Sequence, residues 1–292
     1  MLYAQKEGQA LIDSLLKEVS VAKNDTIKIK LGSRITYEYA YNDLEVGIKY
    51  GLQVLELARQ VKYSAGLENL YGALGANYLQ KSDYPKGLEY FLLCLKLGEE
   101  RGDKKDIELR AYNISSAYFN INDFAKALEY SEQSLKIAKE LKDTMMIASN
   151  LSNMGAVYSV EKKADKALEY LFNALKLLDQ QKDKQFTATT LQHISATYIG
   201  MKDYEHGLEY ADKALKIYME IGDTSGMSLS FQNIGIGYLN MATDSSNKDS
   251  YEQGGIYSNQ YLQKSIEYLE KSRELFKTLQ SLGNLSDVDS NG

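Results

Sequence analysis

Tyrosine recurs every 40 residues along most of this 292-residue chain. Tyr78, Tyr118, Tyr158, Tyr198 and Tyr238 form one series, and Tyr50, Tyr90, Tyr130, Tyr170 and Tyr210 form a second. A fixed interval of this size marks stacked supersecondary units, each of which needs a neighbour to bury its apolar face. Glutamate precedes the last four members of the second series, at Glu89, Glu129, Glu169 and Glu209, and Glu267-Tyr268 repeats the pair after an extra 18 residues. The delay reads as an insertion.

Small residues keep the same interval. Gly75, Ser115, Gly155, Ser195 and Gly235 stand three before the first tyrosine, and Gly47, Gly87, Ala127, Ala167 and Gly207 open the following segment. Cys94, Ser134, Ala174 and Ala214 lie seven further on, two helical turns along one face. Leu74, Ile114, Met154, Ile194 and Ile234 supply large apolar partners, so the pattern is that of closely packed helices. Asp43, Asp83, Asp123 and Asp203 are placed to cap one helix of each unit, and Asp103, Asp143, Asp183 and Asp223 the other. Lys163 interrupts the first of these series and predicts a weaker turn. Gly102 and Gly222 suit helix C-termini, and the single proline, Pro85, falls in a first turn where its missing N–H is harmless.

A large apolar residue, a small one, a tyrosine, and then a small residue in the second helix: this order resembles the tetratricopeptide repeat. The resemblance implies an all-α fold, a right-handed α-solenoid of stacked antiparallel helix pairs. The interval exceeds the usual 34 residues, and the six extra residues lengthen the helices, as in the long repeats of kinesin light chains. On this reading residues 1–23 form an N-terminal capping helix, with an amphipathic stretch at 4–19. Residues 24–283 form about six hairpins with an inserted polar loop at 241–258, and residues 284–292 start a further unit. The first hairpin is degenerate: Glu38 takes the tyrosine position, amid Tyr37, Tyr39 and Tyr41.

Forty acidic against 34 basic residues give a net charge of -6, with lysines mixed among glutamates, which disfavours nucleic acid as a partner. No stretch reaches the roughly 18 apolar residues that span a bilayer. Leu2-Tyr3-Ala4-Gln5 looks like the end of a secretory signal, giving an expectation of periplasmic or otherwise exported location, with the cytoplasm as the alternative.

Arrays of this kind hold peptides on the wall built from first helices. Five before the repeating tyrosine stand Ala73, Asn113, Asn153, His193 and Asn233; six before it stand Gly72, Tyr112, Ser152, Gln192 and Gln232. Asparagine can donate to and accept from a peptide backbone at once. The expected ligand-binding residues are Tyr112, Asn113, Ser152, Asn153, Gln192, His193, Gln232 and Asn233. The alternative is that they bond neighbouring helices or face water. The corresponding wall is almost uncharged, which disfavours the Lys, Asn and Arg clamp for a terminal carboxylate that chaperone-tail-binding tetratricopeptide domains use.

Neither a cofactor nor a metal is expected, and no catalytic group stands out. His193 and His206 are the two histidines, on different helices of one repeat, and Cys94 occupies a small core position. Gly235 and Gly237 follow a helix pattern, with no strand before them to make a phosphate loop. The style of the chain also resembles the N-terminal sensor arrays of bacterial signalling proteins, especially in Bacteroidetes, implying a protein- or peptide-binding module of a larger protein. A structural adaptor that self-associates through an uncapped end is the competing reading.

Overall fold

The computed structural model describes residues 2–40, 43–244 and 256–289, and among them all regular structure is helical. Thirteen helices lie among the described residues: α1 (Leu2–Val21), α2 (Asp25–Tyr39), α3 (Leu44–Gln60), α4 (Ser64–Gln80), α5 (Tyr84–Arg101), α6 (Lys104–Asn120), α7 (Phe124–Leu141), α8 (Thr144–Val160), α9 (Ala164–Gln181), α10 (Lys184–Gly200), α11 (Tyr204–Ile221), α12 (Thr224–Thr243) and α13 (Ile256–Asp289). They divide into two compact units, residues 1–142 and 143–292. The first holds α1 and the pairs α2/α3, α4/α5 and α6/α7; the second holds α8/α9, α10/α11 and α12/α13. Within each unit, the two helices of a pair pack on each other, and the second helix of a pair packs on the first helix of the next. First helices also touch the next first helix, α2 on α4 in one unit and α8 on α10 and α10 on α12 in the other.

The two tyrosine series meet. Tyr78 and Tyr90 stack with ring centroids 5.5 Å apart, Tyr118 and Tyr130 at 5.6 Å, and Tyr198 and Tyr210 at 5.7 Å with planes only 6° from parallel. Tyr158 and Tyr170 meet tilted at 5.3 Å, and Tyr238 finds Tyr268 at 5.9 Å across the insertion. A cation covers the outer face of the first ring in each case: Lys86, Lys126, Lys166 and Lys264 lie over Tyr78, Tyr118, Tyr158 and Tyr238. His206 takes that place over Tyr198, at 5.3 Å, with Nδ1 2.9 Å from Asp203. The hydrogen bond to Asp203 raises the imidazole pKa and favours a charged ring.

The eight aspartates cap as expected, each accepting from a backbone N–H in the first turn that follows it. Lys163 offers α9 no side-chain cap. Between helices the chain turns through a residue in the left-handed region at every twentieth position from 62 to 222: Lys62, Ser82, Gly102, Asn122, Lys142, Lys162, Lys182, Lys202 and Gly222. At the hairpin tips the next residue's N–H reaches back to the tyrosine carbonyl, as from Asp83 to Tyr78 (2.9 Å) and from Asp203 to Tyr198 (3.0 Å), closing the last turn of the first helix.

The degenerate first pair slips by one residue. Asp43 N–H bonds Tyr39 at 2.9 Å, so Tyr39, not residue 38, closes the helix and meets Tyr50 at 6.5 Å. Tyr41 lies outside the described residues. The helix α1 covers this pair, with Ile12 and Leu15 buried against Ile35 and Tyr39.

Two boundaries differ from the sequence reading. Residues 241–243 still belong to α12 and residues 256–258 to α13, while 245–255 of the expected loop lie outside the described residues. The further helix expected after Gly283 and Asn284 is not a separate element, because α13 runs through both to Asp289. An interior glycine costs a helix only about 1 kcal/mol, and no proline follows to stop it. Among the described residues no helix is long and apolar enough to cross a membrane.

Candidate functional site

The first helices of the N-terminal unit enclose a cavity of about 750 Å³. Lys30, Ser33, Arg34 and Tyr37 come from α2, Asn69, Gly72, Ala73 and Ala76 from α4, and Leu109, Arg110, Asn113 and Asn120 from α6, with Phe91 and Tyr84 of α5 also in the lining. Asn120 is committed, its Nδ2 donating to the carbonyl of Ser116 at 2.8 Å. Asn113 is half-buried and its amide makes no hydrogen bond among the described residues. Tyr112, beside it, is closely surrounded, and burial pushes its hydroxyl up to about 12.

In the C-terminal unit the expected ladder divides. Ser152 is buried and accepts from Thr190 Oγ1 at 3.0 Å, tying α8 to α10. Gln192 accepts from the Tyr218 hydroxyl at 3.1 Å, tying α10 to α11. These two are structural bonds between helices. Asn153 is half-buried and has an interaction of its own. His193 is half-buried, and desolvation pushes its pKa down to about 4, so the ring is neutral at physiological pH. Gln232 is exposed and lines a groove of about 580 Å³ with Leu229, Arg273 and Phe276 between α12 and α13; Asn233 is half-buried.

Of the residues six before the tyrosine, Ser152 and Gln192 are helix ties. Sequence reading missed the cations of the N-terminal cavity. Arg110 sits eight before Tyr118, outside the two positions followed, and Lys30 and Arg34 belong to the degenerate pair. The wall is neutral at the ladder positions but not in this cavity.

Among the described residues one grouping has metal-ligand character: Glu68, Cys94 and Asp106, whose donor atoms lie within 4.8 Å of one another. Arg101 holds Glu68 Oε1 at 2.7 Å and Arg110 holds Asp106 Oδ1 at 3.1 Å. Cys94 Sγ donates to the Glu68 carbonyl at 3.3 Å, as Ser134 Oγ does to the Glu108 carbonyl at 2.9 Å one repeat later. Burial pushes the thiol up to about 12, so it is not a thiolate. The grouping is a polar plug joining α4, α5 and α6.

Antiparallel pairs of one repeated length, joined by one recurring turn and presenting a groove on their first helices, define a helical-repeat scaffold. The chain belongs to the tetratricopeptide repeat family, whose model matches residues 66–140 and 146–238. Its fold is similar to that of RapI in its apo form, with 19% identity over 93% of this chain and 95% of the other and a TM-score of 0.67. A STAND signal-transduction ATPase with a tetratricopeptide repeat sensor, from Pyrococcus horikoshii, aligns over 92% of this chain with 19% identity and a TM-score of 0.64; the match covers 40% of that protein. NprR in complex with its cognate peptide NprX aligns over 93% of this chain and 80% of its own, with 19% identity and a TM-score of 0.61. At these identities the likeness establishes the fold. Comparison with curated proteins finds no match.

Proposed function

We propose that this chain is a non-catalytic protein- or peptide-binding scaffold that holds an extended segment against its first helices. The observation that carries the reading is Asn113: a half-buried amide in the wall of a 750 Å³ cavity, with neither donor nor acceptor engaged among the described residues. A partly desolvated, unpaired amide gains a full hydrogen bond when a peptide backbone arrives. Asn153, His193 and Asn233 supply the corresponding positions in the C-terminal unit. The NprR fold, solved with a peptide bound, supports this use of such an array. We place the chain as the sensor or interaction module of a larger bacterial signalling protein, exported to the periplasm.

The test is a peptide-array screen of the chain beside an Asn113→Ala/Asn153→Ala/Asn233→Ala variant, after circular dichroism has shown both equally helical. Peptides lost only by the variant support the reading. Peptides retained unchanged, or none bound by either, overturn it.

One observation favours self-association as a second reading. On α13, Ile266 is 56% and Phe276 57% exposed. They occupy the positions at which Leu208 and Tyr218 of α11 pack on α12, against Gly237 and Gly226. A concentration-dependent mass in sedimentation, abolished by Phe276→Glu, with no peptide bound, would select this reading.

A further inference from the structure

We infer that two copies of this chain pair about a two-fold axis through α13, with their α13 helices antiparallel. The inference rests on the self-association reading above and adds which surfaces meet and how the assembly closes. The preceding repeat shows what the open face of α13 lacks. Each residue of α13 stands 58 positions after its counterpart in α11, so that Tyr268 answers Tyr210 and Lys271 answers Lys213. Tyr218 is 3% exposed and lies against Gly226 of the next first helix. Phe276, in the same place on α13, lies open.

This face is nevertheless not shaped as a seat for another first helix. Arg273 stands in the place of Leu215, which is buried with Ile234 of α12. A first helix laid on α13 in the same way would bury the guanidinium with no opposite charge, which is costly. Leu229 stands where α10 has Thr189, and it too is exposed.

A second copy answers the arginine. When Ile266 of each α13 lies against Phe276 of the other, the axis falls midway between the two, level with residue 271. Glu270 of each chain then comes within one residue, about 1.5 Å along the helix, of Arg273 of the other. Both side chains are exposed, and neither has an ion pair among the described residues. Their neighbours Glu267 and Lys271 are already paired with each other. The same face carries the matching hollow: the groove of about 580 Å³, lined by Ser225, Ser228, Leu229 and Leu269 beside Phe276, faces Ile266 of the other copy. Protruding apolar groups, a hollow and both signs of unpaired charge on one surface are what a self-complementary contact needs.

The experiment is sedimentation equilibrium of the full chain across a wide range of concentrations at low salt. The mass should rise to that of two chains and stop, because a two-fold contact consumes the same surface on both copies. Phe276→Ala should raise the dimer Kd at least about a hundredfold, since each dimer loses two aromatic anchors. Arg273→Glu and Glu270→Arg should each weaken the dimer about tenfold by setting like charges side by side, and the two together should restore it. Circular dichroism checks that every variant is equally helical. A mass that climbs past two chains marks a head-to-tail contact and overturns the two-fold pairing. So does a dimer indifferent to both single charge reversals, or one that the double swap does not restore. These outcomes leave self-association standing, whereas a chain that stays monomeric throughout overturns both.

Discussion

Gly155 lies directly against Leu171, so that a β-carbon on the glycine would fall 2.6 Å from the leucine Cγ. The same exchange runs through the array. Gly75 faces Phe91 and Gly235 faces Leu269 at similar approach, whereas Ser115 faces Ser131 at 2.6 Å, and in the repeat of Ser195 the position of Ser131 is held by the small, buried Ala211. Glycine stands where the second helix brings a large side chain, and serine where it brings a small one. Complementary volume lets both kinds of pairing pack closely.

This complementarity predicts a rescue. Ala211→Leu alone should destabilise by about 1–3 kcal/mol through overpacking. Ser195→Gly alone should cost about 1–2 kcal/mol, from an interior glycine and the loss of the 2.7 Å bond from Ser195 Oγ to the Gly207 carbonyl. The double variant, rebuilt in the style of Gly155 and Leu171, should be less destabilised than the sum of the two. Urea denaturation of all four proteins checks it, and strict additivity would sink the idea.

Glu68 gives the array a pH dependence. Its carboxylate is 3% exposed, with Oε1 on Arg101. Desolvation, then the hydrogen bond and charge of Asp106, push the pKa up from 4.5 to about 7. The folded state thus holds a proton that the unfolded state has released, and this site's contribution to stability is present below pH 4.5 and is lost as pH rises to about 7. Glu68→Gln should remove that loss. The difference in unfolding free energy between pH 5 and pH 8 should shrink by about 1–2 kcal/mol in the variant; unchanged pH profiles would refute the assignment.

Lys163 is the missing cap. Asp83, Asp123 and Asp203 each accept from the N–H three residues on, and Lys163 does not. Lys163→Asp should stabilise by about 1 kcal/mol, and Asp203→Ala should destabilise by a similar amount. Denaturant midpoints decide both.

The left-handed turns make another target. Lys162 holds φ at 61° and Lys182 at 56°, where a side chain is strained and glycine is not. Lys162→Gly and Lys182→Gly should each stabilise by about 0.5–1 kcal/mol, and Gly222→Ala, at φ 71°, should do the reverse. A thermal shift series reads the sign at each position.

The stacked pairs and their caps are legible in the sequence because both rest on contacts between residues at fixed short separations. Tyr198 finds Tyr210 and Asp183 finds the Phe186 N–H without help from the rest of the fold. The site is less legible. Ser152 looks like a groove residue until Thr190, 38 positions later, is seen to bond it. Arg110 is hidden because its place depends on a glycine in the preceding hairpin. The slip at Tyr39 depends on one residue fewer in a turn, and the twenty-residue beat of left-handed residues escapes notice because two of its nine members are glycine.

That beat bears on how such a chain changes length. Gly102 precedes Asp103 and Lys142 precedes Asp143, each a left-handed residue followed by a capping aspartate. Excision of residues 103–142 would join Gly102 to Asp143 and rebuild a junction of the same kind. The seam is marked by backbone geometry more than by side-chain identity, so duplication or loss of a forty-residue cassette leaves no scar at the splice, and the number of hairpins is free to drift while each hairpin keeps its form.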